Sequence, residues 1–190
     1  MDYQETNRQL AEYRRQIAAL RKKMREAQAA VAPAEVKDYE FSTPAGKTRL
    51  SALFGAKRDL FMIHNMGASC PHCTLWADGY NGIYPHLADR AAFVVSSPDP
   101  PAKQQAFAAG RGWRFPMVSH EGSSFAADMG YRGDNGSWRP GLSVFKRAGA
   151  KIVRVADAGF SPGDDFGSLW HFLDLLPEGA DGWQPQYRYG

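Results

Sequence analysis

The sequence predicts an α/β fold: a central mixed sheet flanked by helices, with an N-terminal helical arm. Three observations predict it. Short apolar runs of strand length alternate with helix-like segments through the middle of the chain, the mark of a sheet covered on both faces. Two later runs are joined by a short glycine-containing turn, a hairpin pattern. Residues 5–31 carry 3-4 apolar spacing and no strand pattern at all. With 190 residues, 44% of them hydrophobic, the chain has enough apolar side chain for one core of domain size. The division expected is an arm over residues 1–34 and a domain over residues 35–190.

The elements follow in order. Leu10, Tyr13, Ile17, Leu20, Met24, Ala27 and Val31 form a heptad-like seam on one long helix, which Pro33 ends. So narrow a seam needs a covering surface. It lies either on the body of its own chain or on a second subunit, as a homodimer. The arginines and lysines beside it read as a solvated face. Tyr39 to Ser42 reads as a short strand, with a turn at 44–47 and a helical turn at Leu50–Gly55 closed by glycine. Leu60 to His64 is a buried strand. A helix is expected over 71–80, loosened at its end by Gly79 and Gly82. Ala91 to Ser96 is a second buried strand, and Pro100 to Gly110 a helix between proline and glycine. Phe115 to Ser119 is a strand whose proline places it at an edge or a strand start. A helical turn is expected at Phe125–Met129. Gly141–Phe145 and Ile152–Ala156 form the hairpin. Ser161-Pro162-Gly163-Asp164-Asp165 has the composition of a helix start, with a helix over 166–176 behind it. The last dozen residues read as an aromatic tail laid over the body.

Charge and hydropathy exclude several functions. The net charge of +3 is too mild to argue for nucleic acid, and the body is nearly neutral. No stretch reaches the length of an apolar membrane span. The N-terminal sequence lacks the apolar region of a secretory signal. These features predict a cytoplasmic protein, a compartment in which thiols are kept reduced.

The chain has two cysteines, and both lie in Cys70-Pro71-His72-Cys73. Thiols at i and i+3 meet across one helical turn and close a small ring, which suits a bond made and broken repeatedly. Pro71 sits in the first helical turn, where a proline is tolerated. At a helix start, Cys70 meets unpaired N–H groups and the positive end of the helix dipole, both of which favour thiolate. His72, between the thiols, adds a hydrogen bond or, when charged, further stabilises that anion.

The placement of this motif, opening a helix directly behind a buried strand, resembles the thioredoxin fold. In Arg139-Pro140-Gly141-Leu142-Ser143-Val144-Phe145, Pro140 matches the position of the proline that thioredoxins hold in cis beside their active site. The segments Tyr39–Phe54 and Phe107–Tyr131 resemble the lead and insert of peroxiredoxins. Almost the whole chain is similar to a thioredoxin-like bacterial family known as domain of unknown function 899. The matching motifs run from Cys70 to Asp78, through Tyr80-Asn81-Gly82, Gly112-Trp113-Arg114-Phe115-Pro116 and Gly141–Phe145, to Leu173–Gly179. This resemblance implies a thioredoxin-like fold and a site of Cys70, Cys73, His72, Pro71 and Pro140.

The chemistry expected is thiol-disulfide exchange, with Cys70 as nucleophile and Cys73 resolving. It calls for a protein or small-molecule disulfide substrate and a separate thiol reductant, and for no cofactor, metal, nucleic acid or membrane. A Pro-His pair inside the motif resembles strongly oxidising disulfide donors, whereas a cytoplasmic location favours reduction, so the sequence leaves the direction open. One alternative is a peroxiredoxin-like thiol peroxidase, with Arg139 as a candidate peroxidatic arginine. Ile63 and Gly67, however, stand where that family's motif requires proline and a hydroxyl residue. A second alternative is a non-enzymatic thioredoxin-fold module with a Cys/His metal site, completed by His64, His120 or His171. Of the remaining candidates, His64 ends the strand leading to the motif, which favours a place near Cys70 and leaves open whether it tunes that thiol. His171 reads as a partly buried, hydrogen-bonded residue. Asp78 reads as a cap or structural acid, Trp76, Tyr80 and Tyr84 as core, and Asp164 and Asp165 as helix-start acids.

Overall fold

A computed structural model describes residues 2–190. Helix α1 spans Tyr3–Ala30, capped by the Asp2 carboxylate, which accepts the Glu5 N–H at 2.7 Å. None of its residues is buried. The apolar seam is open, with Leu10, Tyr13, Ile17, Leu20, Met24 and Val31 between 40 and 64% exposed. The helix therefore does not lie seam-down on its own body.

The body is built on one eight-stranded mixed sheet. Its strands are β1 (Ala34–Val36), β2 (Glu40–Thr43), β3 (Gly46–Arg49), β4 (Asp59–His64), β5 (Ala92–Ser97), β6 (Met117–Ser119), β7 (Gly141–Ala148) and β8 (Lys151–Gly159), in the order β1-β8-β7-β4-β5-β6-β2-β3. β4 pairs parallel with β5 and antiparallel with β7, so the strand that leads to the cysteines lies at the centre. The helices are α2 (Pro71–Arg90), α3 (Pro101–Arg111), α4 (Phe125–Asp128) and α5 (Ser168–Leu173). The predicted α/β class, mixed sheet and N-terminal arm are all present.

Period-two alternation along the central strands separates two cores. Leu60 and Met62 of β4 and Val94 of β5 pack with Phe41, Phe125 and Phe145. Ile63, Phe93 and Val95 face the other way, onto Trp76, Ala77 and Tyr80 of α2 and onto Phe160.

The structure differs from the sequence reading at α2, at residues 161–167 and at β1, and of the two places expected for Pro116 it holds the strand start. α2 runs ten residues past its expected end, through Gly79, Gly82 and Pro85. Proline removes the N–H that would bond the carbonyl four residues back, at Asn81. Arg114 supplies the missing donor, its guanidinium meeting the Asn81 carbonyl at 2.8 Å. Burial of Trp76, Ala77 and Tyr80 on the sheet outweighs the weak propensity of the glycines. β6 is not an edge strand, because the β2–β3 hairpin lies beyond it; Pro116 marks its start. Residues 161–167 form turns rather than a helix start. Asp164 accepts from the Ser161 and Phe166 N–H groups within that turn, and α5 begins only at Ser168. β1, a three-residue strand on the outer edge of β8, has too short and too polar a sequence to stand out.

His64 is spoken for on the core face opposite α2. Its ring stacks on Tyr131 with centroids 3.7 Å apart and on Phe125 at 5.2 Å, and its Nε2 lies 2.9 Å from Ser143 Oγ. The residue also borders the small cavity that Cys73 lines, but its ring is engaged with Tyr131, Phe125 and Ser143, and neither cysteine is among the groups that shift its acidity. Its Nδ1 and both ring nitrogens of buried His120 have no hydrogen-bond partner among the described residues. Burial, and then His120 and Arg154, hold the His64 pKa well below its ordinary value; burial and Arg132 bring that of His120 down to about 4. Both rings are therefore neutral in the fold. Above about pH 6.5 neither the folded nor the unfolded chain is protonated there, and stability is complete. As pH falls, the unfolded chain takes up protons that the folded chain refuses, and stability is lost. Urea unfolding between pH 7.5 and 4 is expected to show a loss of about 3 kcal/mol for His120 alone, which His120→Leu removes from the pH profile.

Candidate active site

Cys70 is the N-cap of α2, with extended backbone angles. Its Sγ takes the place of the usual serine or aspartate oxygen and accepts the Cys73 N–H at 3.0 Å. The Thr74 hydroxyl donates to the Cys70 carbonyl, also at 3.0 Å, which pins the first turn. Pro71 occupies N1, as the sequence predicts. Both cysteines are free thiols. They are buried to different degrees, Cys70 being 8% exposed and Cys73 3%.

The two sulfurs differ sharply in acidity. A hydrogen bond from the Cys73 thiol, then the backbone N–H groups of Cys73 and His72, bring the Cys70 pKa down to about 7 against the opposing effect of burial. The same pairing, together with burial, pushes the Cys73 thiol far up. Cys70 is thus the more acidic sulfur and Cys73, one turn on, the one held protonated, the division of labour a nucleophile and a resolving thiol need.

The loop from β4 to the motif is held from below. Asn65 Oδ1 accepts the Gly67 N–H at 2.7 Å, Asp99 Oδ2 accepts the Ala68 N–H at 2.6 Å, and Lys103 steadies the other Asp99 oxygen at 2.6 Å. Gly67 has φ +101°, and a β-carbon there would lie 2.8 Å from Asp99 Oδ2. A threonine, the residue a peroxidatic motif needs at this position, meets both a forbidden backbone angle and a carboxylate. Asp99 and Asn65 went unnoticed in the sequence, because an acid ahead of a helix reads as a first-turn acid and only the fold brings it under the loop.

Pro140 and Cys73 line the same small cavity of about 10 Å³, together with Asn65, Trp76 and Tyr80. The fold therefore brings Pro140 near Cys73. All peptide bonds among the described residues are trans, so Pro140 lacks the cis geometry of the thioredoxin proline. The backbone around it is also engaged: Arg139 N donates to Tyr131 O at 2.9 Å, and Pro140 O accepts from Phe160 N at 3.0 Å. These two groups do not stand open for an extended substrate. The next residue, Gly141, admits the Tyr131 ring so closely that a β-carbon would lie 2.2 Å from it. Arg139 is exposed on the outer loop.

The C-terminal tail crosses the motif. His72 stacks on Trp170 of α5 with centroids 6.2 Å apart; Trp170 meets Trp183, and Trp183 meets Tyr189. On the far side, Arg111 donates to the Tyr187 carbonyl at 2.9 Å, and Tyr187 packs edge-on against Phe107. Pro185, between these fastenings, is buried. The Tyr187 phenol lies near enough to both thiols that their charge, after burial, raises its pKa. Arg111 also forms a two-pronged ion pair with Asp78, which in addition accepts Trp113 Nε1 at 2.8 Å. Asp78 is thus the structural acid the sequence predicts, tying α2 to α3 and, through Arg111, to the tail.

Other candidates fall away from the site. His171 is exposed, 3.9 Å from Asp165, and not partly buried as expected. Asp165 pairs with Arg21 of α1. Trp76 and Tyr80 are core, and Tyr84 packs on the same cluster. No group of three or more His, Cys, Asp or Glu side chains is placed to hold a metal ion among the described residues, and none of their helices is long and apolar enough to cross a membrane.

A central strand that leads into a helix capped by a cysteine, on a mixed sheet with helices, defines a thioredoxin-like fold. The chain belongs to the family described as "Bacterial protein of unknown function (DUF899)", whose model matches residues 1–189. Among solved structures it is similar to peroxiredoxin Q of Xanthomonas campestris (20% identity over 70% of this chain and 87% of that one, TM-score 0.56). It is similar as well to the peroxidoxin BcpB of Mycobacterium tuberculosis (27% identity, 65% and 84%, TM-score 0.53). A third is reduced Prx3 of Vibrio vulnificus in complex with hydrogen peroxide (14% identity, 70% and 88%, TM-score 0.56). Comparison with curated proteins finds no match. These likenesses establish the thioredoxin-like fold.

Proposed function

We propose that the protein is a thiol-disulfide oxidoreductase working through Cys70 and Cys73. The observation that carries this reading is the placement of Cys70 Sγ at the N-cap of α2, where it accepts the Cys73 N–H at 3.0 Å, with the second thiol one turn on; the pairing lowers the pKa of Cys70 to about 7 and raises that of Cys73. The Cys70 thiolate attacks one sulfur of a substrate disulfide, forming a mixed disulfide and expelling the other substrate sulfur as a thiolate, which takes a proton. Cys73 then loses its proton and attacks Cys70 Sγ. A Cys70–Cys73 disulfide forms, and the second substrate sulfur leaves. The substrate gains two electrons, the protein loses two, and a separate thiol reductant restores the pair.

The reducing cytoplasm expected from the sequence favours one direction, so the proposal is a reductase of protein or small-molecule disulfides.

Peroxidase activity is the second reading, favoured by the peroxiredoxin neighbours, all of which are named for that chemistry. Ile63 and Gly67 weigh against it, since neither the proline nor the hydroxyl of a peroxidatic loop is present and Gly67 leaves no room for one. Parallel assays separate the two. Insulin reduction driven by dithiothreitol, with hydrogen peroxide consumption at background, is the expected result. Rapid peroxide consumption without disulfide reduction reverses the assignment.

A further inference from the structure

Two exposed apolar surfaces of this chain have no cover, and they carry opposite charge. The first is the α1 seam. In its heptad register the positions flanking the seam are Gln9, Arg14, Gln16, Arg21, Lys23, Gln28 and Ala30, with no acid among them. The acids of the helix, Glu5, Glu12 and Glu26, lie on its back, already paired with Arg8, Arg15 and Lys22. The second surface surrounds α5. Phe172, Leu175 and Leu176 are exposed there, and a groove of about 510 Å³ is lined by Leu173, Leu176, Pro177 and Trp183, with Glu178 and Asp181 at its wall. Residues 157–181 hold six acids (Asp157, Asp164, Asp165, Asp174, Glu178 and Asp181) and no lysine or arginine.

We propose that α1 of one copy of this chain seats its apolar seam in the α5–tail groove of a second copy, and that the exchange is reciprocal. Charge selects this arrangement over a zipper of two α1 helices. A zipper puts Arg14, Arg21 and Lys23 beside a partner that offers no acid, and an antiparallel one sets these bases directly against each other. The groove instead supplies apolar side chains flanked by carboxylates. Arg21 already reaches one acid of this segment, Asp165, within its own chain, which shows that a basic position of the arm takes an acid from this stretch while the seam stays open. A 28-residue helix with no buried residue gains little stability alone, and packing of an apolar face is what sustains such helices. A stable dimer of this kind has to bury on the order of 1,500 Å², which a reciprocal exchange shares between two seated arms. The result is a two-fold dimer in which each groove takes the other's arm.

The test uses the full-length protein and sedimentation analysis, and does not depend on the chemistry at Cys70. Wild type is expected to be a dimer, and Leu20→Glu with Met24→Glu a folded monomer. Arg14→Glu with Lys23→Glu, and separately Glu178→Lys with Asp181→Lys, are each expected to raise the dimer dissociation constant about tenfold or more. Mixing these two charge-reversed proteins pairs each altered surface with its complement, and dimers re-form. A monomeric wild type at about 100 µM, at which a standard-size interface is populated, overturns the proposal. So does a dimer indifferent to the groove substitutions, or a mixture that fails to re-associate.

Discussion

Cys73→Ser is expected to abolish turnover while leaving the first chemical step intact. Cys70 keeps its place at the N-cap and its backbone donors, since the Cys73 N–H that meets Sγ at 3.0 Å belongs to the main chain. The serine hydroxyl still donates a hydrogen bond where the Cys73 thiol did. The thiolate therefore still attacks a disulfide, but nothing displaces the product. A mixed disulfide accumulates, visible as a mass increment on Cys70, and insulin reduction falls on the order of 10³-fold or more. Cys70→Ser loses turnover to a similar extent but accumulates no adduct, because a serine is not ionised near neutral pH. If Cys73→Ser turned over normally while Cys70→Ser did not, a one-cysteine mechanism would replace the two-cysteine cycle.

Removing residues 182–190 is expected to speed alkylation of Cys70 about tenfold, the effect of sparing an opening step that costs about 1.4 kcal/mol. Cys70 is only 8% exposed, and the tail runs near enough for the charge of the thiols to act on Tyr187, which on this prediction makes it part of the cover. The tail is fastened to Trp170 on one side of the motif and to Arg111 and Phe107 on the other, with buried Pro185 between. A bulky disulfide substrate must displace this segment or slip beside it, so truncation is expected to lower KM for insulin more than for a small disulfide. Tyr187→Ala, which removes the ring on Phe107 but keeps the backbone bond to Arg111, is expected to give part of the effect. Unchanged alkylation in the truncated protein would mean that the fixed walls of the site, not the tail, cover the sulfur.

The parts of the fold written in local pattern were legible in the sequence. β4 and β5 are unbroken apolar runs because both of their faces are covered. The start of α2 showed itself through Pro71 behind a capping residue, although that cap is a cysteine. The elements misread were those decided at long range. α2 continues through Gly79, Gly82 and Pro85 because Arg114, from beyond α3, satisfies the Asn81 carbonyl and the sheet buries the helix's aromatic face. The acids at 164 and 165 resemble a helix start, yet one closes a turn and the other reaches back to Arg21.

The site divides in the same way. Cys70, Pro71, His72 and Cys73 are contiguous, so spacing alone revealed them. Pro140 reached the site by resemblance, and the structure places it beside Cys73 while keeping its peptide bond trans. His64, two residues on from Met62, follows the alternation of β4, and its ring is engaged with Tyr131, Phe125 and Ser143, so closeness in sequence to the motif did not settle its role. Asp99, which braces the loop, and the tail, which is fastened to Trp170, Arg111 and Phe107, lie roughly 30 and 115 residues from Cys70 and carry no motif that alternation or capping would expose.

The account rests on a Cys70 sulfur that ionises near neutral pH beside a Cys73 sulfur that does not. The direct measurement is the rate of iodoacetamide labelling at each cysteine as a function of pH, followed by peptide mass spectrometry on the fully reduced protein. Because a lowered pKa fills the thiolate form from lower pH upward, Cys70 labelling is expected to rise through a midpoint of about 7 and level off, with Cys73 unlabelled throughout. A Cys70 midpoint at the ordinary thiol value of about 8.5 or above, or labelling of Cys73 first, would contradict it.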